Sequence, residues 1–273
     1  MNTKETKISI IGAGALGGAV ARGLAKRGCR ILASDLAADN LGKVREDGGE
    51  TTSDNAKAAA EGEVVMFALK PHLTLGVVKE NAHLLKGKLA VSLAAGVTLD
   101  MLIQAAPEAR WVRAMTNIGA AMNSAITAVA PSKGADDADM KWLEETFELV
   151  GPVERTEEKN LDAFTALTGA APAFFLSLLE AVAMGGIHAG LPKNLAYKGA
   201  AAALVGAGRL ALESGKPPSV LRDDVCTPGG MTIEGIYEIE HSGARGALMK
   251  AVLATAEKGR VLTEKITKEL SGK

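Results

Sequence analysis

A compact β-branched run, Lys7–Ile11, leads straight into Gly12-Ala13-Gly14-Ala15-Leu16-Gly17, and Leu16, Val20 and Leu24 then recur at helical spacing. No other feature of the sequence restricts the fold as much as this glycine-rich turn between a strand and a helix. Gly12 permits the tight turn, Gly14 leaves the backbone open to a pyrophosphate, and Gly17 lets the helix pack closely on the strand. Amides and the dipole at the helix start favour the charge of an anion. A G-x-G-x-x-G at the first strand–helix junction of a βαβ unit predicts dinucleotide binding. A helix-packing turn without a ligand would use the same glycines.

The strand–helix alternation continues. Arg30–Ser34 and residues 64–69, 88–92 and 111–115 are short apolar runs bounded by Gly, Pro, Asp or Ser. Strands buried on both faces of a parallel sheet have this texture. Between them, Val77, Val78, Leu84 and Leu85 mark helical stretches, and Thr98 reads as the N-cap of a helix carrying Leu99, Leu102 and Ile103. The pattern predicts a doubly wound α/β domain with right-handed crossovers. Residues 125–130 and 152–156 are expected as edge strands around a helix over 137–149. From about Asn160 the strand-like runs vanish. Long Ala/Gly/Leu-rich helices are predicted over 173–189, Lys193–Glu213, Met231–His241 and 244–269, broken by Gly190-Leu191-Pro192, by the glycine–proline stretch 215–218 and by Thr227-Pro228-Gly229-Gly230. With 273 residues, two domains are expected, 1–160 binding a dinucleotide and 161–273 all helical.

Charge and composition exclude several classes. Lysine plus arginine number 31 against 32 acidic residues, and neither half is basic enough to predict a nucleic-acid surface. Cys29 and Cys226 make neither a disulfide framework nor a zinc site alone, which favours a reducing compartment. His72, His83, His188 and His241 lack metal-ligand spacing, so no metal is expected. No apolar leader precedes the first glycines, and no stretch of about 20 apolar residues is free of charge. A cytoplasmic protein with no membrane or nucleic-acid partner is expected. Neither a Gly-x-Ser-x-Gly nor a Walker lysine motif occurs, so the chemistry belongs mainly to the dinucleotide.

Further candidates follow from position. Asp35 ends the second strand 23 residues after Gly12, where an acid normally takes the adenosine ribose diol; capping the next helix is its alternative role. Lys70-Pro71 and Ala94-Ala95-Gly96 end the third and fourth runs, at the strand ends where open α/β sheets bind ligands. Lys70 is equally compatible with a surface lysine before a helix-starting proline. Cys226-Thr-Pro-Gly-Gly-Met231-Thr232 leads into an amphipathic helix. Amides of Met231 and Thr232 there would make a carboxylate-sized anion site, with the Thr232 hydroxyl as an added donor; Thr232 as a plain N-cap is the competing reading.

These segments resemble the pyrroline-5-carboxylate reductase family. The matching motifs are Ala68-Leu-Lys-Pro71, Val91-Ser-Leu-Ala-Ala-Gly-Val-Thr98, Leu167-Thr-Gly-Ala-Ala-Pro-Ala-Phe174, Gly185-Gly-Ile-His-Ala-Gly-Leu-Pro192 and the highly specific Thr227-Pro-Gly-Gly-Met-Thr-Ile-Glu234. The resemblance implies a Rossmann-type domain followed by an all-α dimerisation domain, and an enzyme that reduces 1-pyrroline-5-carboxylate to L-proline with NADPH or NADH. By motif position, Ile11, Gly12, Gly14, Ala15, Leu16 and Gly17 would hold the pyrophosphate, Ser34 and Asn55 the adenosine. Ala68, Leu69, Lys70 and Pro71, then Leu93, Ala94 and Ala95, would line the nicotinamide end. Met231 and Thr232 would take the cyclic imine's carboxylate, with Thr232 near the ring nitrogen, and Glu158 falls where the family has a substrate-side acid. An interlocked homodimer with sites built from two chains, and a decamer of such dimers, are also implied.

Three departures from the family pattern bear on substrate identity: Ile118 and Gly119 replace a Thr-Pro, Ala170 follows Thr168-Gly169, and Met231 replaces a small residue. The alternatives are a reductase of a related cyclic imine, a β-hydroxyacid-type dehydrogenase and a silent dinucleotide-binding protein. The second would need a catalytic lysine, for which only Lys159 and Lys193 are at hand between 159 and 197.

Overall fold

The computed structural model describes residues 1–270. These residues divide into two compact units, one of residues 1–170 together with 255–270, the other of residues 171–254.

In the first unit β1 (Lys7–Ile11), β2 (Arg30–Ser34), β3 (Glu50–Thr52), β4 (Val64–Phe67), β5 (Leu89–Ser92), β6 (Arg110–Met115), β7 (Thr127–Pro131) and β8 (Val153–Arg155) form one sheet. Its order is β3-β2-β1-β4-β5-β6-β7-β8. The first six strands are parallel, and β7 turns antiparallel to β6. The predicted doubly wound sheet is therefore present. The three-residue edge strand β3 was not anticipated: Glu-Thr-Thr is polar and half exposed and carries none of the apolar signal of a buried strand.

Helices α1 (Ala15–Lys26), α2 (Ala38–Glu46), α3 (Asn55–Glu61), α4 (Pro71–Glu80), α5 (Leu99–Ala105) and α6 (Asp137–Glu148) cross between the strands. Successive strand residues feed opposite layers. Ile8, Ile10, Val64, Met66, Leu89 and Val91 pack with Val20, Leu24, Val44 and Phe147 on one face. Ile11, Val65, Phe67 and Ala90 pack with Leu75, Val78, Leu102 and Trp111 on the other. Thr98 caps α5 as expected, accepting from the Met101 N–H at 3.3 Å. A short helix, α7 (Leu161–Phe164), and a π-turn over Thr165–Gly169 close the unit.

The second unit holds α8 (Ala171–His188), α9 (Lys193–Glu213), α10 (Pro218–Val225), α11 (Met231–His241) and the first part of α12 (Ala244–Leu270). Helices α8 and α9 meet through Ala183, Ala196 and Ala200, small residues that let the backbones approach. Gly190, at φ +98°, turns the chain between them, and the Leu191 N–H donates to the Gly186 carbonyl at 3.0 Å. Little else is buried. Val182, Leu212, Met249 and Leu253 are each more than half exposed, an apolar surface larger than a free-standing helical unit carries. The helical run Glu158–His188 is apolar and long enough to cross a membrane by length and composition, and little of it is buried within one copy.

A bidentate ion pair ties the sheet to α6. Arg110 donates from Nε and Nη2 to the two carboxylate oxygens of Asp139 at 2.6 and 2.9 Å. Burial alone would raise the Asp139 carboxyl, but the guanidinium outweighs it and holds the group below the usual carboxylate range. A carboxyl lowered by folding stabilises above its unfolded value near about 3.9 and loses that contribution as pH falls through the folded value. Asp139→Asn is expected to cost about 1–3 kcal/mol at pH 7, and the gap to wild type should close in melts below about pH 4. A gap independent of pH would show that the charge is not the stabilising feature.

Candidate functional site

Backbone approach dictates the geometry of the glycine turn. Gly12 adopts φ +96°, and a Cβ there would lie 2.7 Å from the Ala68 carbonyl oxygen. A Cβ on Gly17 would lie 1.9 Å from the Gly12 oxygen and 2.6 Å from the Ala68 Cβ. Both glycines are thus required by the fold. Gly14 differs: a Cβ there meets nothing within 4 Å. It is the N-cap of α1 and offers no side chain to the helix, so the first-turn amides keep no internal acceptor. The turn is open at the one glycine where an anion would approach.

The turn faces a cleft of about 500 Å³ between the ends of β1, β2 and β4, beside the point where the strand order reverses. Gly12, Gly14, Ser34, Asp35 and Asn55 line one side, and Ala68, Leu69 and Lys70 the other. Ser34 is fully buried and its hydroxyl donates to the Asn55 Oδ1. Asp35 is engaged by the loop itself. Its Oδ2 accepts the Ala13 N–H and its Oδ1 the Ala37 N–H, both at 2.8 Å. Its carboxylate therefore braces the glycine turn while lining the cleft.

Other expected residues sit elsewhere. Ala15 faces a smaller hollow on the far side of Gly14, with Arg22, Asn40 and Lys43. Leu16, Gly17 and Pro71 build the helix starts without lining the cleft. The side chains of Ile11, Leu93 and Ala94 are buried in the core, and none of the three lines the cleft; Ala95 is half-buried beside Met115 and Leu161. Asn40, His72 and Leu73 also line the cleft. Asn40 lies in the first turn of α2, and His72 and Leu73 in the first turn of α4, and no motif singled them out.

In the second unit, Gly229 turns at φ +65° and Gly230, not Thr232, is the N-cap of α11. Thr232 is therefore a first-turn residue, and the reading of it as a plain cap is corrected. A Cβ on Gly230 would press on the Thr227 hydroxyl, and a glycine cap leaves the first amides without a side-chain acceptor. Met231 is almost wholly exposed. Glu158 belongs to the first unit, where its Oε1 accepts the Leu99 N–H at 2.7 Å and the Arg113 Nη1 at 2.8 Å. Lys159 is exposed and paired with the equally exposed Glu157 at 2.6 Å.

Residues 158–262 match the family model described as pyrroline-5-carboxylate reductase dimerisation. Residues 7–96 match the model described as NADP oxidoreductase coenzyme F420-dependent. A pyrroline-5-carboxylate reductase of Methanosarcina acetivorans is 37% identical over 270 residues, covering 96% of this chain and all of that one. A solved pyrroline-5-carboxylate reductase from Coxiella burnetii superposes with a TM-score of 0.83 at 29% identity, over 96% of this chain and 99% of that one. A Plasmodium falciparum pyrroline carboxylate reductase solved with NADP bound has the same fold, with a TM-score of 0.87 at 23% identity over 96% of this chain and all of that one.

The glycine geometry separates binding from folding. Gly14→Val should alter stability by no more than about 1 kcal/mol, the usual scale of an N-cap change, yet abolish NADH and NADPH binding in a fluorescence titration. Retained affinity at unchanged melting temperature would place the dinucleotide elsewhere.

Proposed function

The chain belongs to the pyrroline-5-carboxylate reductase family, and on that premise we propose that it reduces 1-pyrroline-5-carboxylate to L-proline, with the following division of labour among its residues. The observation that carries this reading is a pair of glycine-capped helix starts, α1 at Gly14 and α11 at Gly230. Each presents amides with no side-chain acceptor, one suited to a pyrophosphate and the other to a carboxylate.

The open Cβ position at Gly14 fits a dinucleotide phosphate. Gly12, Gly14, Ala15, Leu16 and Gly17 hold the pyrophosphate, with Ile11 contributing backbone only. Ser34, Asp35 and Asn55 take the adenosine end, and the strand ends at 68–71 and 93–95 take the nicotinamide end. When bound, NADH or NADPH supplies the hydride for the imine carbon. The chain's own task is orientation. Amides of Met231 and Thr232 bind the carboxylate, and the Thr232 hydroxyl donates to the ring nitrogen as it becomes an amine.

The match to a dimerisation model and the exposed apolar side chains of the second unit support assembly of this chain with its own copies. A homodimer is the proposed minimal unit and a decamer its larger form, in the cytoplasm. The division into a dinucleotide-binding part, 1–160, and a helical dimerisation part, 161–273, belongs to the same proposal.

Oxidation of NADH and of NADPH by the purified protein with pyrroline-5-carboxylate tests the reaction, and turnover with neither would end the proposal. Losing one hydrogen bond at the ring nitrogen costs about 1–3 kcal/mol. Thr232→Ala should therefore lower kcat/KM by roughly one to two decades at unchanged cofactor affinity, and Thr227→Ala by less. Wild-type turnover in Thr232→Ala would leave the nitrogen's donor to be sought elsewhere. Asp35→Ala removes a negative charge where a 2′-phosphate would lie and should raise NADPH use relative to NADH; an unchanged ratio would remove Asp35 from the ribose.

A further inference from the structure

Arg113 sits in the middle of the sheet, on β6, in register with Ser92 of β5 and Ala130 of β7. Its side chain is 3% exposed. A buried guanidinium needs compensation on nearly all its donors. Yet among the described residues Nε and Nη2 have no hydrogen-bond partner, and the Asp162 carboxylate is 3.9 Å from Nη2. The hydrogen bond from Nη1 to the Glu158 Oε1, at 2.8 Å, is what holds the charge.

The same Glu158 oxygen accepts the N–H of Leu99, the first residue of α5, at 2.7 Å. That amide closes a short loop, residues 93–98, which leaves the end of β5 and carries Ala94 and Ala95. At the loop's start, the Leu93 N–H donates to the Phe67 carbonyl at 2.8 Å and the Ala94 N–H to the Ser92 hydroxyl at 3.3 Å. At its crown, Gly96 adopts φ +74°, and a Cβ there would come within 3.3 to 3.5 Å of Leu262, Thr263 and Ile266 near the end of α12. Thr263 in turn donates to Asp162 at 3.4 Å. One carboxylate oxygen thus ties the loop's exit to a buried cation beside the loop's entry.

We propose that Glu158 is a positioning residue for the nicotinamide end of the cofactor site, fixing loop 93–98 through its shared hydrogen bonds to Arg113 and Leu99, rather than a proton donor to the substrate. This inference rests on the assignment of loop 93–95 to the nicotinamide end made above. Removing the carboxylate leaves the buried Arg113 only the Asp162 carboxylate, 3.9 Å from Nη2, and frees the start of α5. The loop then loses its set position while the glycine turn, braced separately by Asp35, keeps its own.

The test compares wild type, Glu158→Gln and Glu158→Ala by titration with NADH and with ADP-ribose, which lacks the nicotinamide. Glu158→Gln keeps an acceptor for Leu99 and guards against a variant that fails to fold. NADH affinity should fall about tenfold in Glu158→Ala, the scale of one charge-assisted hydrogen bond, and less in Glu158→Gln, with ADP-ribose affinity within about twofold of wild type in both. In Glu158→Gln the pH profile of kcat/KM should keep its shape at lower amplitude. Equal losses for NADH and ADP-ribose would reduce Glu158 to a general structural role and overturn the proposal. So would unchanged NADH affinity with a lost acid limb in the profile, the signature of a proton donor. Both titrations read binding without substrate, so a failure of the proposed reaction would not be mistaken for a failure of this inference.

Discussion

The approach of one backbone to another at the β1–α1 turn is the constraint on which the rest depends. Helix α1 starts so close to the ends of β1 and β4 that a single methyl on Gly12 or Gly17 would overlap a carbonyl oxygen or the Ala68 side chain. That closeness sets α1 down on the sheet, buries Val20 and Leu24 against Ile8 and Ile10, and aims the helix start at the cleft between β1 and β4. Asp35 completes the arrangement by fastening the Ala13 amide to the end of β2. The same geometry that satisfies packing leaves open backbone at Gly14, and binding is built from that opening.

Chemistry on this scaffold asks little of individual side chains. Reduction of a C=N bond needs a hydride source, an oriented electrophile and a donor at nitrogen; it needs no nucleophile or metal. The proposed site meets these needs largely with main-chain groups at helix starts. That explains why the sequence displays glycines at the decisive places instead of a cluster of histidines, cysteines and acids.

Much of this was legible in the residues. The turn at Gly12, Gly14 and Gly17 could be read because phosphate approach and helix packing demand glycine at fixed spacing. The strands β1, β2, β4, β5 and β6 could be read because strands buried on both faces are continuously apolar. β3 escaped for the opposite reason, being three polar edge residues. Helix α10 escaped because Pro217-Pro218 reads as a break, although a proline at the first helical position starts a helix just as well; Pro218 does so here. The cap of α11 was ambiguous because Gly230 and Thr232 are both acceptable there, and only the backbone conformation distinguishes them. Least legible was the setting of Glu158. Its partners Leu99 and Arg113 lie 59 and 45 residues away, and no local pattern links a turn acid to a buried arginine on a distant strand. The apolar surface of α8 and α9 has a similar origin: the composition announces helices that pack closely, but not that much of their packing surface is left exposed in one copy.

The most direct test of the account follows the transferred hydrogen itself. Purified protein would be incubated with pyrroline-5-carboxylate and reduced nicotinamide cofactor carrying deuterium at both C4 positions, NADH and NADPH in separate reactions, and the product analysed by mass spectrometry and NMR. The account predicts L-proline carrying one deuterium on the former imine carbon with at least one of the two cofactors, and none in Gly14→Val. Proline without deuterium, no proline at all, or equal labelling in Gly14→Val would contradict it.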